Sequence, residues 1–269
     1  MDTHFILNLP TEDLYHTFIE SVLTDAMSFE SVILELEGSE RYGCDFIFRI
    51  HVQTAKQFVG AVKLDYQNVA NSSVDLIDRA LSLELYEILN LNYHIAGICY
   101  KHLGYPEKSL ESFMNVLKYE ERYGFRHLTS MAYFYISELY ILHDNSEYAL
   151  EYANLSMKTL EETKDCEPRY HNKKVMFTAN ILQLLYQMEK YDEIYPYVKI
   201  IQDNYFENKT LQNKYTYYIA MMHYHFAVDE YDKAKEDLYR ILSMVEDAEP
   251  EFILQQVKAF LVLASQKGM

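Results

Sequence analysis

Apolar residues recur along this chain at a helical interval and in paired blocks. Four stretches, "EKSLESFMNVL", "EYALEYANLSM", "DEIYPYVKII" and "DKAKEDLYRIL", set a small or aliphatic residue just after a polar break. Small or apolar residues then follow four and seven positions on: Ser109, Phe113 and Val116; Ala149, Ala153 and Ser156; Ile194, Val198 and Ile201; Ala234, Leu238 and Ile241. Residues at i, i+4 and i+7 share one helix face, so each stretch predicts a helix. The leading residues lie 40, 45 and 40 positions apart, and an earlier copy, "SSVDLIDRAL", carries Ser73, Ile77 and Ala80 in the same pattern. Each block follows a second apolar helical stretch ("NYHIAGICYKHL", "AYFYISELYIL", "TANILQLLYQM", "YYIAMMHYHFA") across a short polar break. The unit is helix, tight turn, helix, repeated about five times, and the expected fold class is all-α.

Small residues inside the first complete unit have a packing reason. Gly97 and Ser109 fall where two helices must approach to about 8–10 Å between axes. Gly104 sits at the break, where a tight turn favours a residue without a β-carbon. A phosphate cradle would need a preceding strand and GxGxxG spacing, and the chain has neither.

At the ends the pattern is weaker. "TEDLYHTFIESVLTDAMS" reads as an N-capped helix beginning at Thr11. "CDFIFRIHVQ" alternates like a strand, and with "SVILELEG" it would form a hairpin within residues 31–53; the helical face of Ile47, Ile50, Thr54, Phe58 and Ala61 favours helix instead. "EFILQQVKAFLVLASQKGM" predicts an amphipathic helix after Pro250. Residues 1–40 are therefore expected to be capping helices, 41–245 the repeats, and 246–269 a capping or connector helix.

These positions resemble the tetratricopeptide repeat (TPR) family over about residues 41–245. Ala96 and Gly97 fall at the family's Leu-Gly pair, Tyr100 at its aromatic site and Gly104 at its turn. Ser109 takes the small site, and Phe113 and Val116 the next two. Ile136, Ser137, Tyr140, Ala149 and Ala153 repeat the arrangement, and the last unit matches through Tyr231 and Ala234. Ile194 stands where a small residue is expected, which should splay that pair. The resemblance implies an α-α superhelix, a TPR-like solenoid.

Composition narrows the function. The chain has 269 residues, 41 acidic against 24 basic, and a formal net charge of −17, which repels nucleic-acid backbones and anionic lipid. With 26 Tyr, 14 Phe and no Trp, the aromatics at helical spacing read as core. Cys44, Cys99 and Cys166 form no CxxC pair, no segment has the length to span a membrane, and the N-terminus has no basic signal-peptide start. A cytoplasmic protein is expected, without membrane insertion. No HExxH, GxSxG or Walker motif occurs, so the expectation is a non-catalytic protein with no metal and no cofactor. His223 and His225, two apart, diverge by about 200° on a helix and cannot share a metal; one is expected to face the groove while the other packs. Glu161 and Glu162 read as a solvated face.

Stacked helix-pair solenoids line their concave side with first helices. Polar residues there mark a candidate groove for a protein or peptide: His94, Ile98 and Lys101; Phe134, Glu138 and Ile141; Asn180, Gln183 and Gln187; Ile219, His223 and Phe226. A single lysine among them is unlike repeats that clamp a carboxylate with several bases. Long, Tyr-rich units of this kind resemble the N-terminal regulatory or sensor regions of bacterial signalling proteins, including diguanylate cyclases of the GGDEF type, whose motif this chain lacks. A second resemblance is to repeat-built peptide-pheromone receptors or response-regulator antagonists. Either reading makes the chain an interaction module, and a homodimer is compatible with both.

Overall fold

The computed structural model describes residues 2–124, 128–165, 167, 169–207, 211–244, 257, 258, 261 and 265, and among them there is helix and no strand. The chain divides into two compact units, Met1–Leu139 and Tyr140–Met269. Short helices come first: α1 Thr3–Leu7, α2 Glu20–Thr24, α3 Glu30–Glu37 and α4 Glu40–Cys44. Five pairs follow: α5 Phe46–Val62 with α6 Tyr66–Ser82, α7 Tyr86–His102 with α8 Pro106–Tyr123, and α9 Thr129–Leu142 with α10 Ser146–Glu162. The last two are α11 Tyr170–Gln187 with α12 Tyr195–Glu207, and α13 Leu211–Ala227 with α14 Tyr231–Ser243.

One turn closes every pair. Leu64, Gly104, Asp144, Glu189 and Asp229 all have φ between 55° and 77°. After each, a backbone N–H donates five residues back: Asp65 to Gly60, Tyr105 to Tyr100, Asn145 to Tyr140, Lys190 to Leu185 and Glu230 to His225, at 2.8–3.0 Å. This is the Schellman closure, which satisfies the carbonyls left over at a helix end. Only one of the five left-handed residues is glycine. Glu84 (φ 56°) makes the same turn between α6 and α7, with Leu85 N donating to Ala80 O at 2.9 Å.

Counting from these turns places the repeat. The second-helix positions are Ser109, Phe113 and Val116; Ala149, Ala153 and Ser156; Ile194, Val198 and Ile201; Ala234, Leu238 and Ile241. All are buried except the half-buried Leu238. The first copy needs correction. Its turn at Leu64 lies 40 residues before Gly104, so the equivalent positions are Val69, Ser73 and Leu76, each buried. The expected set of Ser73, Ile77 and Ala80 is slipped by four, and Ile77 is only half-buried. Four residues is nearly one helical turn, so a slipped set keeps to the same face.

Packing explains the small residues. A β-carbon on Gly97 would lie 2.8 Å from the Phe113 ring, and Ser109 Oγ donates to Gly97 O at 2.8 Å. The first pair reverses the sizes: Gln57 takes the place of Gly97 and Ser73 that of Phe113, with Ser73 Oγ donating to Gln57 Oε1 at 3.1 Å. The fourth pair departs from the pattern. A single 3-10 turn, Tyr191–Glu193, precedes α12, because Pro196 has no N–H and is tolerated only in a first helical turn. Ile194 is nonetheless buried.

The N-terminal segment is helical in a different way from that expected. Pro10 precedes a 3-10 turn, Thr11–Asp13, and a π-helical turn, Leu14–Ile19, leads into α2. The helical path does begin at Thr11, but with Pro10 before it no side chain caps that start. Residues 31–53 hold all of α3 but its first residue, all of α4 and the start of α5, which removes the hairpin alternative. Asp45 caps α5 by accepting from Phe48 N at 3.0 Å. Arg41 Nη1 donates to the carbonyls of Leu7 and Leu9 at 2.9 and 2.7 Å, tying α4 to the end of α1. The final amphipathic helix and Cys166 lie largely or wholly outside the described residues; Val257, Lys258, Leu261 and Ser265 are helical, and Val257 joins the core of the second unit.

Two substitutions test the turn and the seam. Gly97→Ala should lower stability by about 1–3 kcal/mol through overpacking against Phe113. Leu64→Gly relieves a left-handed strain of about 1–2 kcal/mol against a glycine entropy cost of about 0.5–1. Since the Leu64 side chain is exposed, its melting temperature should rise. Chemical-denaturant unfolding of both variants decides; a Leu64→Gly protein less stable than the parent would mean the turn is not left-handed.

Candidate functional site

Within the first unit, two first helices present one connected cluster. Lys101 on α7 pairs with Glu138 on α9 through Nζ and Oε2. Its ammonium also lies 5.3 Å from the Tyr135 ring centroid, within cation–π range. Tyr135 stacks on Phe113 at 5.0 Å and 11°, and His94 meets both rings at 5.8 and 5.7 Å. The ion pair is half-buried, with side-chain exposures of 17% and 26%, so it is shielded more than a surface pair and desolvated less than a core pair. Burial also pushes the Tyr135 phenol above its ordinary value, with Glu138 adding to the effect.

In the second unit, Tyr186 on α11 and His223 on α13 repeat that geometry. Counted from the turns, Tyr186 matches Lys101 and His223 matches Glu138. Their rings are 4.8 Å apart, and Tyr186 lies 6.2 Å from Phe226. Burial alone carries the His223 imidazole down to about 4 from its ordinary 6.5.

The twelve expected groove residues separate by burial. His94, Phe134, Asn180, His223 and Phe226 are buried; Ile98, Lys101, Glu138, Ile141, Gln183 and Ile219 are half-buried; Gln187 is exposed. His94, Phe134 and His223 therefore do not line an open surface; His94 packs against Phe113 of α8 and Tyr135 of α9, and His223 against Tyr186 of α11. The amide stripe on α11 also needs correction. Turn-based counting aligns Ala179, Gln183 and Tyr186 with the other first helices. Asn180 and Gln187 each lie one residue further on, rotated by about 100°. Only Gln183 shares its repeat position with Ile98, Glu138 and His223.

Sequence reasoning missed Tyr135 and Tyr186. Both sit on helices so uniformly apolar that no face stands out, and only the turn positions fix their direction. The two neighbouring histidines do diverge: while His223 packs against Tyr186, His225 Nδ1 lies 2.7 Å from Asp237 Oδ2 on α14. Glu161 and Glu162 are exposed, as expected, and Glu161 also carries partners. Burial raises its carboxyl, but hydrogen bonds from Lys174 and Tyr170 outweigh that and hold it below its ordinary value. Cys99 is buried and its thiol is pushed up to about 12, so it stays protonated, and Cys44 is exposed. Among the described residues no group of three His, Cys, Asp or Glu is placed to hold a metal ion, and no helix is long and apolar enough to cross a membrane.

No family model matches the chain, and no curated protein matches it significantly. A solved structure does. The crystal structure of the apo form of RapI superposes with a TM-score of 0.71 at 13% identity, over 96% of this chain and 92% of that one. The likeness establishes the fold: an all-α superhelix of TPR-like helix pairs.

The buried His223 sets a pH dependence. Between about pH 6.5 and 4 the unfolded chain binds a proton at this imidazole that the folded chain refuses, so stability falls as pH falls. The loss is about 1.4 kcal/mol per pH unit at most. His223→Leu should flatten that part of the curve of unfolding free energy against pH. An unchanged slope in the variant would show that the folded protein protonates His223 freely.

Proposed function

We propose that this chain is a non-catalytic peptide- or protein-binding module that recognises an extended segment along its first helices, acting as a peptide receptor or regulator-binding protein of the TPR type. The observation that carries the reading is the recurring first-helix contact, Lys101–Glu138 in one unit and Tyr186–His223 in the other. Each sets polar groups beside aromatic rings at the same repeat positions. An extended peptide passing along the half-buried positions beside these contacts, Ile98, Lys101 and Glu138 in the first unit, meets alternating hydrogen-bonding and apolar surface, which suits both backbone and side-chain recognition.

The receptor reading draws more support than a sensor region attached to a GGDEF enzyme. The similarity to apo RapI runs through the short N-terminal helices as well as the repeats, over nearly the whole of both chains. Peptide is favoured over a compact small molecule because in each unit the half-buried residues lie on two successive first helices, Ile98, Lys101 and Glu138 on α7 and α9 and Gln183 and Ile219 on α11 and α13.

Mass spectrometry of peptides that co-purify with the protein identifies the ligand class. Gln183→Leu then tests the face in a binding titration and a thermal melt run side by side. Affinity should fall by about 5- to 150-fold, since an unpaired polar group left on the ligand costs about 1–3 kcal/mol. The melting temperature should stay level or rise. Full affinity with a lowered melting temperature would make Gln183 scaffolding and remove the site.

A further inference from the structure

We propose that Glu120 is a positioning residue for the α7–α9 face: its buried carboxylate holds α9 against α7 and thereby sets the spacing of Lys101, Tyr135 and Glu138. The inference rests on the reading of that face as the binding surface.

Glu120 lies in the last turn of α8 and is 3% exposed. Its Oε1 accepts from Asn90 Nδ2 on α7 at 3.1 Å and from Leu128 N at 3.0 Å. Its Oε2 accepts from Thr129 N at 2.9 Å and from the Thr129 hydroxyl. Three helices meet at one side chain. Asn90 lies on the face of α7 that carries His94 and Lys101, at i, i+4 and i+11. Thr129 opens α9, the helix of Tyr135 and Glu138. The unsatisfied amides at that helix start, with the helix dipole behind them, are what a carboxylate binds well.

Other repeats show that the fold does not require a charge here. Counted from the turns, the same position holds Ala80 in the first pair and Leu160 in the third, both fully buried. An apolar side chain would join the helices without the cost of desolvating a carboxylate. What the carboxylate adds is direction, because it fixes both the start of α9 and one residue of α7. Asn90 Oδ1 has no hydrogen-bond partner among the described residues, so this amide is held through its Nδ2 bond to Glu120.

The experiment reads the geometry without any ligand. Lys101→Met, Glu138→Gln and the double variant form a thermodynamic cycle whose non-additivity reports the ion pair. The cycle is run in three backgrounds: wild type, Glu120→Leu and Glu120→Gln. The coupling should vanish in Glu120→Leu. It should return in part in Glu120→Gln, whose oxygen can keep accepting from Thr129 while its Nε2, which loses the Leu128 amide, donates to Asn90 Oδ1. Hydrogen exchange should quicken at Leu128 and Thr129 in Glu120→Leu, and at Leu128 alone in Glu120→Gln. Undiminished coupling in Glu120→Leu, with faster exchange confined to those two amides, overturns the proposal and leaves Glu120 a local cap. If Glu120→Leu does not fold, Asn90→Leu cuts the link to α7 while keeping the cap, and the same loss of coupling is expected. Failure to bind peptide with this coupling pattern intact counts against the proposed function only.

Discussion

A carbonyl in the last turn of each first helix accepts the N–H five residues on, and the residue before that N–H must turn left-handed to allow it. Position in the repeat follows from this closure. It sets where the second helix begins, and so which residues of the pair meet at the seam. It also fixes the register along each first helix, which is why Lys101 and Tyr186 arrive at equivalent places on helices of unrelated sequence. The seam adapts to this fixed backbone by exchanging volume: Phe113 lies over Gly97 in one pair, and Gln57 bonds Ser73 in another. Close-packed interiors tolerate such swaps when total volume is conserved.

The helix-pair architecture was legible because its signal is periodic and local. Ser109, Ala149, Ile194 and Ala234 each follow a polar break, and the structure buries all four. The turns were less legible, since their geometry is the same but their residues are Leu64, Gly104, Asp144, Glu189 and Asp229. Glycine marks only one of them, and the others, all exposed, adopt a left-handed conformation held by the backbone closure of the turn itself. Without visible turns, register could only be inferred from face patterns, and a face pattern survives a slip of four residues. That is how Ser73, Ile77 and Ala80 stood in for Val69, Ser73 and Leu76.

The candidate site suffered from a finer version of the same ambiguity. Polar residues on apolar helices are conspicuous, so Asn180, Gln183 and Gln187 drew attention by chemistry, although only Gln183 keeps the repeat register. Tyr135 and Tyr186 were inconspicuous for the opposite reason, being aromatic residues among many in a chain with 26 tyrosines. Burial was the other property that sequence did not carry. His94 and His223 are polar enough to suggest a wet surface, yet neighbouring first helices enclose both. The His223 imidazole tolerates such enclosure by staying neutral, which a lysine or glutamate at the same depth could do only through a larger shift in its titration.

Charge is distributed in the first unit according to depth. The many carboxylates that give the chain its net charge of −17 are mostly on its exterior, where repulsion is screened and solvation is cheap. Inside, each carboxylate has a defined set of donors. Glu138 is met by Lys101 at the half-buried face, and Glu120 is met by Asn90 and the opening amides of α9 at full burial. The two are linked, since the helix that Glu120 anchors is the one that carries Glu138. A buried carboxylate is stable only with its donors in place, so the arrangement makes the geometry of the outer pair depend on the inner one. Distortion of the Lys101–Glu138 pair by a bound segment would therefore be felt at Glu120, where α7, α8 and α9 converge, and from there along all three helices.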